Sequence, residues 1–312
     1  MLENLLNQDE FILFGHHIKN HISIGSVSIY FYALAIVTGM ILCCVLAIPV
    51  FKKRGIPPDF ILDIMIWVIP LSIICARTWY VLFDIKTFID SPKGFFLSAI
   101  NIRDGGLAIY GGVVGGALGI VIACKIKKVD ILKIFDIGGA MLPLGQAIGR
   151  WGNFFNQEVY GQEITNPAFQ FFPIGVEIEN GGTVGWYQAL FFYESVLDLA
   201  LFIGLYLYLR KRKSDKSGYA MSFYFIGYGL IRAILEGFRQ SEYNLPLFGN
   251  TGIRAMILVS ALLIAGGLIC LTFFLKRDGY IFKGKKAASG EVPEDAPQGD
   301  INTEKEKEDE KD

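Results

Sequence analysis

Seven long apolar runs dominate the sequence, at roughly 24–51, 58–84, 105–126, 131–157, 186–209, 218–238 and 253–275. About 20 such residues wound as an α-helix cross the hydrocarbon core of a bilayer, so each run is long enough to span one. The expected fold class is therefore an all-α polytopic membrane protein of about seven transmembrane helices. Composition agrees, with 53% hydrophobic and only 19% charged residues among 312.

Charge placement orients the spans. Basic clusters follow the first run ("FKKRG"), the third ("KIKK"), the fifth ("RKRKSDK") and the seventh ("KRDG", "KGKK"), alternating with loops poorer in Lys and Arg. The positive-inside rule then puts the N-terminus outside and the C-terminus in the cytoplasm. Lys52, Lys53, Arg54 and the "RKRK" run read as topology determinants. "MLENLLNQDE" lacks the basic n-region of a leader, so the first run is expected to be a retained span. Residues 277–312 are charged and poor in large apolar side chains, the signature of a disordered cytoplasmic tail. Residues 1–276 then form the membrane-embedded catalytic domain. Its largest extramembrane element is the outer loop 158–185, and "FILFGHHIKNHISIG" is expected to lie along the outer interface.

Polar residues inside the spans carry the functional information. In the fourth run Asp136, Gly139, Pro143, Gln146, Arg150, Asn153 and Gln157 recur at spacings of three and four, along one helical face. The sixth run repeats the pattern with Tyr224, Tyr228, Arg232, Glu236 and Arg239, and the second adds Arg77, Tyr80 and Asp84. A charge at mid-bilayer costs roughly 2.5–3.5 kcal/mol even on insertion scales, so these arginines need partners, a wet cavity or an anionic ligand. A rise of about 1.5 Å per residue places Arg77, Arg150 and Arg232 together in the outer half of the bilayer. Tyr110 opens the third run at that level, where Gly111, Gly115 and Gly119 are spaced as a helix-packing face. Simpler readings stand beside these. Arg232 and Glu236 can be an i, i+4 ion pair, Tyr80, Tyr193 and Tyr228 an aromatic belt, and Arg239 and Arg254 snorkelling cations.

Several chemistries lack their residues. The three histidines, His16, His17 and His21, precede the first span, and no GxSG motif occurs, which disfavours a serine–histidine centre or an intramembrane serine protease. Asp63, Asp84 and Asp136 lie at different depths and do not suggest an aspartyl dyad. The five cysteines sit in apolar segments without CxxC or metal-ligand spacing, so neither a disulfide framework nor a metal site is expected. A transporter remains the main rival, but it predicts polar stripes reaching both faces and perhaps inverted repeats, whereas the polar groups here concentrate outward.

"GRWGNFFNQEVYG" at 149–161 resembles the signature of the bacterial prolipoprotein diacylglyceryl transferases. Supporting motifs are "FYALAIVTG", "ARTWYVLF", "GGLAIYGG", "FFYES" and "GYGLIRAILEGFRQ", in the family's order over about residues 10–275. The resemblance implies an enzyme of the bacterial cytoplasmic membrane with its active site toward the outer leaflet. It would transfer the diacylglyceryl group of phosphatidylglycerol to the lipobox cysteine thiol of prolipoprotein signal peptides, forming a thioether and releasing glycerol phosphate. Partners are thus phosphatidylglycerol, lipobox precursors and membrane lipids, with no nucleic acid and no cofactor. Carried over by position, the family's phospholipid-binding arginine falls on Arg150, with Asn153, Glu158 and Gly161 beside it. The essential arginine of the sixth span falls on Arg232, flanked by Tyr228 and Glu236, and an N-terminal tyrosine falls on Tyr32.

This chain departs from the family at Tyr110, where many members have histidine, and at Gln188 and Ala189, where many have His-Pro. The expected mechanism has Arg150 and Arg232 gripping the phosphate, Asn153 and Gln157 orienting the glycerol head, and Glu236 holding Arg232, with Arg239 nearby on the same stripe. A free thiol of pKa about 8.5 is mostly protonated at neutral pH, so deprotonation needs help. Tyr110, Glu158 and the arginine field are the candidates, Tyr110 as a positioning or relay group.

Overall fold

The structure is a computed structural model that describes residues 10–25, 27–91, 94–102, 105–180, 183–239 and 255–281. The expectations about the first residues, about Arg254 and about a disordered tail beyond residue 281 lie outside these.

Helices α1 (Phe31–Lys53), α2 (Phe60–Phe83), α5 (Ile109–Lys127), α6 (Ile131–Phe155), α7 (Leu190–Lys211), α8 (Tyr219–Glu236) and α9 (Ala255–Arg277) fall on the seven apolar runs to within a few residues, except that α1 begins seven residues after the start of the first run, whose opening belongs to strands. Two short helices, α3 (Ile85–Ile89) and α4 (Phe95–Ile100), lie between α2 and α5. Pro49, Pro70 and Pro143 sit inside α1, α2 and α6 without ending them, as spanning helices tolerate when neighbours satisfy the freed backbone. Lys52 and Lys53, Lys125 and Lys127, Arg210 and Lys211, and Lys276 and Arg277 occupy the last turns of α1, α5, α7 and α9, where cations complement the helix dipole.

Among the described residues, six helices are long and apolar enough to cross a membrane: α1, α2, α5, α6, α7 and the 256–277 stretch of α9. The seventh expected span, α8, is not one of them, because tyrosines, Arg232 and Glu236 dilute its 18 residues.

Helix α6 is the hub. It packs against α1, α7 and α8, while α9 packs against α8. Ile134, Ile137, Ala140, Met141 and Leu144 of α6 join Val50 and Phe51 of α1, Phe202, Leu205 and Leu209 of α7 and Ala220 of α8 in one buried cluster. A second unit, α2 against α5, leans on this bundle with fewer contacts. Gly111, Gly115 and Gly119 are buried at that contact, where α5 lies directly on the α2 backbone at Cys75, Leu71 and Val68. At Gly119 an added Cβ would lie 2.7 Å from the Val68 Cα, so the expected glycine packing face is the one used.

Helices do not account for everything. Among the described residues there are three two-stranded antiparallel hairpins: β1 (Glu10–Leu13) with β2 (His16–Lys19), β3 (His21–Ile24) with β4 (Val27–Tyr30), and β5 (Gly175–Asn180) with β6 (Thr183–Gln188). The stretch expected to lie on the interface thus forms the first hairpin and the first strand of the second, and the 158–185 loop leads into the third. Gly15 N–H donates to the Glu177 Oε2 at 2.7 Å, joining the first hairpin to the third.

Candidate active site

Arginine cannot shed its charge, so a buried guanidinium declares its partners. Arg232 on α8 is buried, and its Nη1 donates to both Oε1 and Oε2 of Glu194 on α7, each at 3.1 Å. Arg150 on α6 reaches the same Glu194 Oε1 through Nη2 at 2.6 Å. One carboxylate with 4% side-chain exposure therefore ties together two arginines from different helices, and three helices meet at it. Glu236 extends the chain, 3.5 Å from the Arg232 Nη2 and 3.8 Å from the Arg239 Nη1. The expected Arg232–Glu236 pair exists, but Glu194 is the closer partner. Glu194 stands in "FFYES" with no role from its sequence context. The available signal is its spacing: Glu194 and Asp198 are an i, i+4 carboxylate pair in an otherwise apolar run, facing runs that carry unbalanced arginines.

A second polar layer lies one helical turn deeper. Below Arg150, Glu194 and Arg232 stand Gln146, Asp198 and Tyr228, four residues along each helix. The Gln146 Nε2 donates to the Tyr224 hydroxyl at 3.0 Å, and the Tyr224 and Tyr228 rings stack 5.6 Å apart. Asp198 is fully buried, and neither of its carboxyl oxygens has a hydrogen-bond partner among the described residues.

The signature segment closes the C-terminal end of α6. Asn153 sits beside Arg150, whose Nη1 donates to its Oδ1 at 3.4 Å, and its Nδ2 donates to Glu158 Oε1 at 3.0 Å. Asn156 donates to the same oxygen at 3.3 Å. The helix stops at Phe155, and the chain turns through Gln157 (φ +51°) and Val159 (φ +58°), left-handed conformations that non-glycine residues adopt at a cost of order 1–3 kcal/mol. The Gln157 side chain is buried there, its amide without a hydrogen-bond partner among the described residues. Gly161 pairs with Arg239 in a β-bridge, and its N–H donates to the Gln188 carbonyl at 2.9 Å. Tyr32, at the start of α1, lays its ring on Gly152, so it joins the same end of the bundle. Arg150, Arg232, Asn153, Glu158, Gly161, Tyr228, Glu236 and Arg239 are thus brought together, with Tyr32 and Gln157 at the margin.

Two polar residues of that depth are not brought together with them. Tyr110 lies on α5 with 46% exposure, and among the described residues no hydrogen bond, ion pair or ring contact links it to the cluster. Arg77 is consumed by backbone. Its Nε donates to the Ala99 carbonyl, Nη1 to Gly105 and Gly106, and Nη2 to Ser98 and Asn101, at 2.6–2.9 Å. Its role is to fold the α4–α5 connection.

Beside the cluster, a groove of about 370 Å³ opens between α1, α6 and α7. Phe31, Leu34, Thr38, Ala147, Trp151 and Ser195 are among its lining residues. Trp151 and Ser195 directly follow Arg150 and Glu194, so an apolar groove and a cationic site adjoin. Among the described residues, no group of three His, Cys, Asp or Glu side chains is arranged to hold a metal ion.

The profile of the family described as prolipoprotein diacylglyceryl transferase matches residues 19–273. The chain belongs to this family. Curated relatives agree. The phosphatidylglycerol–prolipoprotein diacylglyceryl transferase 1 of Clostridium perfringens is 37% identical over 268 residues, 86% of this chain and 96% of the relative. Its counterpart in Finegoldia magna is 36% identical over 247 residues, covering 79% and 92% of the two chains. That of Streptococcus pyogenes is 36% identical over 253 residues, covering 81% and 92%. The matched segment of this prolipoprotein diacylglyceryl transferase family member takes in every site residue described above.

Proposed function

We propose that the chain transfers the diacylglyceryl group of phosphatidylglycerol to the lipobox cysteine of prolipoproteins, the reaction that begins lipoprotein maturation, and that Arg150 and Arg232 hold the lipid phosphate. The observation that carries this reading is the convergence of two arginines from separate helices on one site beside an apolar groove. A phosphodiester anion with acyl chains needs that combination: fixed guanidinium forks for oxygens and an oily wall for the tail. Charge growing on the phosphate as its bond to the glyceryl carbon breaks is stabilised by the same arginines. Asn153 and the buried, unpartnered Gln157 amide supply donors and acceptors for the glycerol hydroxyls. Glu236 and Arg239 brace Arg232, and Glu158 braces Asn153.

Orientation belongs to the same proposal. Helix α8 completes a set of seven spans, because its charged face is turned inward onto Glu194 and its apolar residues remain for lipid. The basic last turns of α1, α5, α7 and α9 then lie in the cytoplasm of a bacterial inner membrane, residues 277–312 lie there too, and the Arg150–Arg232 site opens to the outer leaflet.

The test is a purified, folded enzyme given phosphatidylglycerol and a lipobox peptide, with the thioether product scored by mass. The expected result is product from the unaltered chain and none above background from Arg150→Ala. A folded enzyme that forms no thioether overturns the reading.

A further inference from the structure

We propose that Glu194 is the base that removes the substrate thiol's proton, held silent by Arg150 and Arg232 until a phosphodiester displaces it from them. The inference rests on the functional reading above and deepens it.

The thiol's proton needs an acceptor; apart from Asp198, which lies fully buried one turn further along α7 and touches neither arginine, the other candidates are occupied or distant. The histidines lie in the first two hairpins, and Tyr110 has no link to the cluster among the described residues. Glu158 is engaged by the amides of Asn153 and Asn156, and Glu236 lies behind Arg232, between it and Arg239. Among the described residues, Glu194 alone is shared by the two arginines that would grip phosphate. The Arg150 side chain in contact with it keeps 21% exposure, and the next residue on α7, Ser195, lines the groove.

Geometry makes the switch. Oε1 of Glu194 occupies the Arg150 Nη2 at 2.6 Å and the Arg232 Nη1 at 3.1 Å, donors that a bound phosphate requires. The groups facing Glu194 are Asp198 one turn along α7, Arg150 from α6, Arg232 and Tyr228 from α8, and Arg239 just beyond the end of α8. Arg150 and Arg232 are the cations in contact with it. When lipid phosphate takes them, the Glu194 oxygens lose these donors and are left to accept the thiol's proton.

The S–H bond then breaks with its proton passing to Glu194, and the sulfur pair forms a bond to the glyceryl carbon. That carbon's bond to the phosphate oxygen breaks, leaving the electron pair on glycerol phosphate. The departing dianion takes the proton from Glu194, and as it leaves the arginines close again on the carboxylate.

Glu194→Gln keeps the shape and cannot accept the proton. On a cysteine lipobox peptide it should lose at least about 100-fold in turnover, the range of general base catalysis. Its apparent KM for phosphatidylglycerol should stay level or fall, since the phosphate no longer competes with a carboxylate. A selenocysteine peptide, whose selenol is ionised at neutral pH, should restore turnover to within about tenfold of the unaltered enzyme. Equal losses on both peptides, or loss of lipid binding, overturn the proposal and leave Glu194 as a brace for the arginines. If the variant does not fold, the unaltered enzyme decides. With Glu194 as base, its rate on the cysteine peptide is level across neutral pH. A rate that follows the thiolate fraction, about tenfold per pH unit up to about 8.5, overturns it. An unaltered enzyme that acts on neither peptide instead overturns the functional reading.

Discussion

Arg77, Arg150 and Arg232 look alike in the sequence, each an arginine inside an apolar run at similar depth, yet they meet different fates. Arg77 spends its N–H donors on five carbonyls of residues 98–106. Lysine has three donors and no planar fork. Arg77→Lys should therefore loosen that connection, read as faster proteolytic nicking between residues 94 and 108, while phosphatidylglycerol binding persists. Tyr110→Phe should retain most of its turnover, because the hydroxyl touches none of the charged cluster; a fall comparable to Arg150→Ala would restore Tyr110 to the chemistry. Gly161 is constrained more tightly. A methyl group there would lie 2.7 Å from the Gln188 Cβ. Overpacking of this kind costs about 1–3 kcal/mol. Gly161→Ala should lower the melting temperature in detergent and disturb the bridge to Arg239, cutting turnover as well.

At the scale of elements, α6 and α8 are joined at both ends by side chains with separate tasks. Near their C-terminal ends, Arg150 and Arg232 share Glu194. At the other end Asp136, fully buried on α6, accepts from the Gly218 N–H at 2.9 Å and the Met221 N–H at 3.1 Å, capping α8 from a neighbouring helix. N-cap acceptors are worth about 0.5–2 kcal/mol. Asp136→Ala should cost the upper part of that range in thermal unfolding, since two buried N–H groups lose their acceptor, and Asp136→Asn less. Asp136 belongs to the stripe that the sequence displays, but its service to another helix does not follow from the stripe. The helices themselves were legible because a bilayer demands long apolar runs. The hairpins were not, because strands of four to six residues gain their stability from partners along the chain and give no long-range period.

In the whole molecule, two units of unequal purpose sit side by side. The α6–α7–α8 bundle and the segments directly after α6 and α8 hold the charged cluster, and the α2–α5 pair holds none of it. Gly115 is part of the seam between α2 and α5, where a Cβ would lie 2.6 Å from the Leu71 carbonyl carbon. Gly115→Ala should lower thermal stability and leave the turnover of the folded fraction close to that of the parent, because the arginine cluster is braced elsewhere. Loss of activity without loss of stability would show that the pair shapes the site.

The sequence by itself determined the solvent this protein lives in, its apolar helices and the packing face of α5, and it offered Arg150, Asn153, Glu158 and Arg232 as candidates, because hydropathy, helical period and a dense signature are local properties. Only the tertiary structure decided which arginine meets which carboxylate. Glu194 lies 44 residues from Arg150 and 38 from Arg232, and nothing in a helical repeat tells one helix which face of another it will meet. Buried charges resolve that choice physically: removed from water they must pair, so the packing that brings Glu194 between two arginines is the one the bilayer permits.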